Sequence, residues 1–166
     1  MNNLAAIYAG GRIIADDVRN VAPLSAYKGS DEPLASGVGT LQNDDSLFIA
    51  LDANTTYFFI LFFGYLGGTQ GSSDLKIGFS LPAGATMRWT RQGITTAGAN
   101  TSLVWNTESS VSTLGSNGAS NCAGILLGTV TMSDTPGNLQ FQWCQNSGAA
   151  VTTKVLTGSE LHAFAI

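Results

Sequence analysis

The sequence has few charged residues, and their distribution does not favour nucleic-acid binding. Charged residues make up 11% of the 166-residue chain, against about 25% in an ordinary soluble domain. The seven basic residues are scattered, and the formal net charge is −4, whereas a nucleic-acid-binding protein needs a basic patch. The low charge indicates instead that much of the surface lies against other protein.

Histidine and cysteine are equally scarce. His162 is the single histidine, so it cannot anchor a common zinc site, and we predict a structural or surface role for it. Cys122 and Cys144 are the two cysteines. They could form one disulfide, but isolated thiols in a protein made in the cytosol are more often reduced, and their spacing resembles no metal site.

Two short patterns resemble reactive sites, but each has a simpler structural explanation. Ser73-Asp74-Leu75-Lys76 has the Ser-x-x-Lys spacing of some acyl-transfer enzymes, yet that chemistry needs a helix and this segment alternates as a strand. Asp44 and Asp45 could be a carboxylate pair or calcium ligands, but adjacent acids where a strand begins are usually solvated turn residues. The sequence therefore predicts a non-enzymatic protein with no catalytic residues, no metal and no cofactor.

Long apolar runs are absent as well, and the most apolar segment is short. The segment from Tyr57 to Leu66 falls far below the roughly 20 residues of a membrane-spanning helix, so no membrane partner is expected. The start of the chain, Met1 to Leu4, has neither the positive flank nor the apolar centre of a secretory signal.

The aromatic segment follows a turn at Asp52-Ala53-Asn54 and has two apolar faces. A helix is compatible with the apolar run alone, but the aromatic enrichment, the turn before it and the glycines after it favour a strand. An antiparallel sandwich usually exposes one sheet face to water. The second face here needs a cover, and we predict that another copy of the chain supplies it. In a strand, one face would carry Tyr57, Phe59, Leu61, Phe63 and Tyr65, and the other Phe58, Ile60, Phe62 and Gly64.

Further strand patterns follow at short intervals, which indicates an all-β antiparallel sandwich or jelly roll. Residues 46–51 are predicted to pair with the aromatic strand across the turn at 52–54. In the strand 74–81, alternation turns Leu75, Ile77, Phe79 and Leu81 inward. The remaining strands are predicted at 86–90, after the turn Pro82-Ala83-Gly84, and at 103–105, 124–132, 139–144, 153–156 and 160–166.

Residues 1–40 differ from the rest, so we divide the chain into an N-terminal arm (1–40) and a jelly-roll domain (41–166). Ile14, Val18 and Val21 are spaced as on a short helix, which Pro23 ends. A Pro- and Gly-marked extended segment follows. Such an arm gains stability only on a partner, because its few apolar side chains do not offset its ordering entropy. That partner is a neighbouring subunit or larger assembly or, alternatively, the arm's own domain, where it would cover a sheet edge.

Three stretches of the chain carry a resemblance to a known family. The first is residues 40–89, which include Thr-Leu-Gln-Asn-Asp-Asp-Ser-Leu, Ala-Asn-Thr-Thr-Tyr and Asp-Leu-Lys-Ile-Gly-Phe-Ser-Leu-Pro-Ala-Gly-Ala-Thr-Met-Arg-Trp. The others are residues 11–20, Gly-Arg-Ile-Ile-Ala-Asp-Asp-Val-Arg-Asn, and, near the C-terminus, residues 138–146, 152–156 and 158–161. They resemble a family of tailed-bacteriophage virion proteins, which are minor structural, fibre or head-decoration proteins. That family is similar to trimeric jelly rolls of the tumour-necrosis-factor type.

The resemblance implies a homotrimeric capsid decoration protein, located in the virion after assembly in the host cytoplasm. From the pattern of residues 1–40 we expect the arm to dock it on the shell, with Ile13, Ile14, Val18 and Val21 meeting the capsid or the subunit beside it. Its partners would be copies of itself and the major capsid protein or another virion protein, with no nucleic acid and no membrane. The chain has no fibre stalk, which favours a compact unit. Two alternatives stay open. The first is a tail-fibre or host receptor- or glycan-binding protein, which Trp89 or Trp105 would support if they lie on loops rather than in the core. The second is a carbohydrate-active enzyme, but the sequence lacks the acid pair that such an enzyme needs.

Overall fold

The computed structural model of the chain describes residues 22–34, 39–67, 74–101, 103–118, 120–146 and 153–166. These residues form twelve strands and no helix, and accordingly none of them belongs to a helix that could cross a membrane. The helix predicted from Ile14 to Val21 lies outside the described residues. The strands are β1 (Leu24–Tyr27), β2 (Glu32–Pro33), β3 (Gln42–Leu51), β4 (Thr56–Leu66), β5 (Leu75–Ser80), β6 (Thr86–Gln92), β7 (Asn106–Thr107), β8 (Ser112–Leu114), β9 (Cys122–Thr131), β10 (Gly137–Gln145), β11 (Lys154–Val155) and β12 (Glu160–Ala165).

The strands are arranged as a two-stranded ribbon wound into two sheets. Pairing runs inward along the chain, because β3 pairs with β10, β4 with β9, β5 with β8 and β6 with β7. The wound ribbon gives a smaller sheet in the order β3-β10-β5-β8 and a larger sheet in the order β1-β12-β4-β9-β6-β7. This is a jelly-roll sandwich of antiparallel strands, and the predicted fold class is confirmed.

The aromatic strand, β4, lies inside the larger sheet between β12 and β9. The predicted turn precedes it, and Asn54 has a φ of 55°, a left-handed conformation that asparagine tolerates better than most residues. The strand and its two faces are as predicted. The buried face carries Tyr57, Phe59, Leu61, Phe63 and Tyr65, each at most 3% exposed.

Aromatic rings from both sheets meet in the core between them. Phe79 of β5 contacts Phe59 and Trp89 edge to face, with ring centroids 5.3 and 5.5 Å apart. Such pairs are worth about 0.5–1.5 kcal/mol beyond the area they bury. Trp89 is therefore a core residue. The strand β5 turns its alternate residues inward as predicted: Leu75, Ile77 and Phe79 are buried, and Leu81 packs against them half-buried.

The predicted pairing of residues 46–51 with the aromatic strand is wrong. These residues belong to β3, which pairs with β10 in the smaller sheet, whereas β4 lies in the larger one. The turn at 52–54 therefore carries the chain from one sheet to the other. Its backbone hydrogen bonds reach residues 132 and 133 instead of closing a hairpin. The Asn54 N–H donates to the Ser133 carbonyl, and the Met132 N–H donates to the Thr55 carbonyl.

Residues 22–34 add two short strands to the larger sheet of their own domain. β1 runs antiparallel to β12, and β2 pairs with β11. The Lys28 N–H also donates to the Ser159 carbonyl. This part of the N-terminal segment therefore takes the edge-covering arrangement, one of those left open by the sequence.

Candidate functional site

The outer face of the larger sheet carries a patch of apolar side chains. Phe62, Phe58 and Phe164 are 50%, 36% and 37% exposed. The register places β4 beside β9 and β12 so that their outward residues adjoin. Exposed apolar patches of this kind mark interaction sites. We call this patch the aromatic face; it consists of Phe58, Ile60, Phe62, Ile125, Leu127 and Phe164.

His162 lies at the β12 edge of the aromatic face. Its Nδ1 is 2.8 Å from the Ser25 hydroxyl, and its Nε2 is 3.1 Å from the Glu160 carboxylate. The connectivity resembles a Ser-His-acid triad, but the three side chains lie on an open sheet surface. The backbone of β12 is paired on both sides, with β1 and β4, so it offers no row of free N–H groups for an oxyanion hole.

Residues 103–105 form a loop over the larger sheet, and the strand predicted there is wrong. Leu103, Val104 and Trp105 are 71%, 52% and 77% exposed, and β7 begins only at the next residue. The Asn106 amide donates to the Val104 carbonyl at 3.2 Å and to the Trp89 carbonyl at 3.4 Å. These two bonds tie the loop to β6.

A pocket of about 230 Å³ that is open to solvent lies between the loop and the sheet. We call it the Trp105 pocket. Thr90 of β6 and Leu127 and Gly128 of β9 contribute its sheet side, and Leu103, Val104 and Trp105 its loop side. Almost all of its lining atoms are apolar. The one side-chain hydroxyl, Thr90 Oγ1, is buried with no hydrogen-bond partner among the described residues.

A buried lysine forms the centre of a second cluster. The Lys28 ammonium lies 2.5 Å from Glu32, 2.8 Å from Asp44 and 2.8 Å from Asp45. Lys28 and Asp44 are almost completely buried, whereas the Asp45 side chain is 67% exposed. We call these four residues the Lys28 cluster. It joins the segment between β1 and β2 to the start of β3.

Asp44 is not the solvated turn residue that the sequence predicted. Its Oδ1 accepts the N–H groups of Ser46 and Leu47 at 3.0 and 2.9 Å, and its Oδ2 accepts the Trp143 indole N–H at 3.2 Å. The cause is a bulge in β3, where the register with β10 shifts at residues 140–142. The bulge breaks the alternation, so Asp44 and Leu47 both point inward.

The electrostatics of the Lys28 cluster keep its ammonium charged. Burial alone would lower the pKa of Lys28, but the hydrogen bonds that its ammonium donates to Asp44, Asp45 and Glu32 outweigh burial and raise that pKa above its ordinary value. Burial raises the pKa of Glu32. The hydrogen bond from Lys28 holds the pKa of Asp45 down at about 2. A catalytic lysine needs a lowered pKa, so this lysine is suited to structure and not to nucleophilic attack.

The three carboxylates of the Lys28 cluster could also be taken for a metal site. One oxygen from each lies within 4.8 Å of the others. However, the Lys28 ammonium bonds to all three and supplies the positive charge that a cation would bring. We therefore interpret the cluster as an ion-pair network that fixes the residues after β1 against β3.

The structure does not bring the other candidate residues together. Ser73 lies outside the described residues, and Lys76 is on strand β5, so the helical geometry of Ser-x-x-Lys chemistry is absent. Asp74 is buried and accepts the Ser116 N–H at 3.0 Å. Cys122 and Cys144 are free thiols on β9 and β10.

Sequence reasoning missed the two features that define these sites. The sequence leaves Trp105 open between core and loop, although residues 91–123 are rich in Gly, Ser, Thr and Asn, a composition typical of loops. No motif in the sequence marks Lys28. Its one signal is alternation, because an extended segment that turns the half-buried Ala26 inward also turns position 28 inward.

Comparison with known proteins adds little to this picture. No protein-family model and no curated protein matches the chain. Solved structures of the infectious bursal disease virus Gt and Gx strains contain similar chains, at 10% and 11% identity and TM-scores of 0.20 and 0.21. They cover 87% and 88% of this chain but 41% and 40% of their own chains, so the chain spans about two fifths of their length. A likeness this weak carries no argument about function.

Proposed function

We propose that the protein is a non-enzymatic virion structural protein, a homotrimeric capsid decoration protein of a tailed bacteriophage. The observation that carries the proposal is the aromatic face, which leaves three phenyl rings in water on a chain with 11% charged residues. Exposed apolar area costs about 25 cal/mol per Å² relative to burial. Covering the face with further copies of the chain removes that cost.

The sequence resemblance supports the choice of a virion over other assemblies. It includes residues 40–89, 138–146, 152–156 and 158–161, which supply much of both sheets. The jelly roll agrees with the fold that the resemblance implies, but jelly rolls serve many functions, so the fold by itself does not select one. The resemblance and the exposed face together favour a structural role.

The lack of a suitable catalytic arrangement supports a protein without enzymatic activity. Among the described residues, the Ser25-His162-Glu160 chain lies on an open sheet, and the Lys28 ammonium is buried and neutralised by acids. Neither arrangement combines a nucleophile, a base and oxyanion donors around one position for a reacting atom.

We assign the docking of the protein on the shell to residues 1–21. Residues 24–27 are in β1, and Lys28 and Glu32 belong to the buried cluster, so residues 22–34 pack on their own domain. A variant that lacks residues 1–21 keeps β1 and the cluster intact. It should fold and trimerise like the full chain but no longer bind particles assembled without the protein, as measured by co-sedimentation.

The full-length protein added to the same particles is the control for this experiment. If the truncated variant decorates particles as well as the full chain does, residues 1–21 are not the anchor. If neither protein binds, the decoration role itself is contradicted.

One observation favours a second function, attachment to a host receptor or glycan. Trp105 is 77% exposed on a loop, and binding residues concentrate on loops that a rigid scaffold positions. The lining of the pocket beside it is nevertheless almost wholly apolar, whereas a sugar needs several placed polar groups. Titration of Trp105 fluorescence with host-surface polysaccharide, with Trp105→Phe as the control, would reveal such binding.

A further inference from the structure

We propose that the Trp105 pocket receives the phenyl ring of Phe62 from a second copy of the chain. This inference rests on the proposed homotrimer and names the contact that holds it together. The pocket and the ring lie on the same outer sheet surface, on different strands. Both are apolar.

The chemistry of the pocket fits an apolar side chain. Leu103, Val104, Trp105 and Leu127 line it with carbon atoms. The Thr90 hydroxyl is buried below them and offers no accessible polar group to a ligand. The volume of about 230 Å³ is below the roughly 300–1,000 Å³ of small-molecule sites. One aromatic ring suits this space better than a sugar or a cofactor.

Phe62 is the phenyl ring best placed to fill such a pocket. It is 50% exposed, more than either other ring of the aromatic face. Phe58 and Phe164 contact each other, with ring centroids 6.3 Å apart. Within the described part of the chain, no aromatic contact involves Phe62. Its ring therefore projects without an aromatic neighbour of its own.

A cyclic trimer requires two different contact surfaces on each copy. In a cyclic trimer each contact joins two different surfaces, and the contact repeats around the axis until it closes. Phe62 on β4 and the pocket between β9, β6 and the loop are two such surfaces. Each copy can then donate its phenyl ring to one neighbour and receive a ring from the other.

The exposed apolar area supplies part of such a contact. Phe58, Phe62, Phe164, Leu103, Val104 and Trp105 are between 36% and 77% exposed. At about 200 Å² for a whole side chain of this size, each copy presents roughly 600 Å² through these residues. One contact buries the aromatic face of one copy against the loop of its neighbour, so the six side chains supply roughly 600 Å² of the about 1,600 Å² that a standard interface buries in total. Residues around them must supply the rest.

Two substitutions and a control test the contact. Phe62→Asp removes the ring, and Val104→Asp places a charge at the pocket wall; both positions are half exposed in one chain, so the fold tolerates them. Phe48→Asp is the control, because Phe48 is 43% exposed on the opposite sheet. We expect each of the first two to raise the dissociation constant at least about 100-fold, and Phe48→Asp to stay trimeric. Near-ultraviolet circular dichroism checks that all three are folded.

Mixing the two defective variants tests the pairing itself. The Phe62→Asp variant keeps an intact pocket, and the Val104→Asp variant keeps its Phe62 ring. In an equimolar mixture the second variant should place its ring in the pocket of the first and form a dimer, which sedimentation velocity would detect. A mixture that stays monomeric while the unmodified chain is trimeric overturns the pocket proposal but leaves the homotrimer standing. A trimeric Val104→Asp variant overturns it in the same way. A monomeric unmodified chain overturns the homotrimer as well.

Discussion

Replacing Lys28 by methionine tests the interpretation of the buried cluster. Methionine keeps much of the lysine's length but removes the ammonium that touches Glu32, Asp44 and Asp45. Asp44 is 1% exposed and Glu32 9%, so neither carboxylate can recover its hydration without local opening. The substitution therefore leaves two buried acids side by side with no counter-charge.

The expected loss follows from this burial. Removing one partner of a buried ion pair costs about 3–5 kcal/mol, which is a large part of the 5–15 kcal/mol that usually separates folded from unfolded states. Asp45 adds little, because its side chain is 67% exposed and solvent screens it. We expect Lys28→Met to lower the free energy of unfolding by about 3–5 kcal/mol at pH 7.

The loss should depend on pH at both ends of the range. The pKa of Lys28 is raised on folding, so its contribution is fully present below its ordinary pKa and disappears as pH rises through the folded value above 10.5. In acid, Glu32, whose pKa is raised by burial, takes up a proton in the variant and the penalty falls. The difference between the two proteins should therefore be largest near neutral pH and shrink toward both pH 4 and pH 11.

The assay is urea unfolding followed by tryptophan fluorescence, at one total chain concentration because association shifts apparent stability. Trp143 bonds to Asp44, so its emission reports on the cluster directly. Lys154→Met is the control, since Lys154 pairs with Asp31 at the surface, where solvent screens the pair, and its loss should be far smaller than that of Lys28→Met. Equal losses in the two variants, or a Lys28→Met loss that is the same at pH 4 and pH 7, would refute the reasoning.

Two further predictions concern packing and thiol reactivity. Gly128→Ala should lower the free energy of unfolding by about 3 kcal/mol, because its new Cβ would lie 2.1 Å from the Arg88 carbonyl oxygen. Gly29→Ala is the control and should lower it hardly at all, because nothing lies within 4 Å of its new Cβ. Equal losses for the two variants in urea unfolding would contradict this prediction. Burial raises the pKa of the Cys144 thiol, so only the half-buried Cys122 should react with a disulfide reagent at pH 8 before denaturant is added. Equal rates for both thiols would contradict the placement of Cys144.

The parts of the fold that depend on local pattern could be predicted from the sequence. The two faces of β4 follow from strict alternation over residues 57–65, and the turn before it follows from its asparagine. Pairing could not be predicted in the same way. A turn such as 52–54 has the same residue preferences whether it closes a hairpin or crosses between sheets, and only its bonds to residues 132 and 133 decide.

The candidate sites were harder to predict than the fold for related reasons. Asp44 is buried because a bulge interrupts β3, and no glycine marks that bulge in the sequence. Trp105 is exposed because its loop is held above the sheet by Asn106, a contact that depends on β6 being close. Both placements depend on strands that are distant in sequence. The β4 part of the aromatic face, by contrast, could be predicted, because it is the second face of one strand, whereas the parts from β9 and β12 could not.

The mass of the unmodified protein in solution tests the central claim most directly. The aromatic face and the Trp105 pocket belong to a chain that, in our account, is complete only when copies of it cover one another. Multi-angle light scattering during gel filtration should therefore give three times the mass of one chain, with no monomer at micromolar concentration. A stable, well-folded monomer under those conditions would contradict the account.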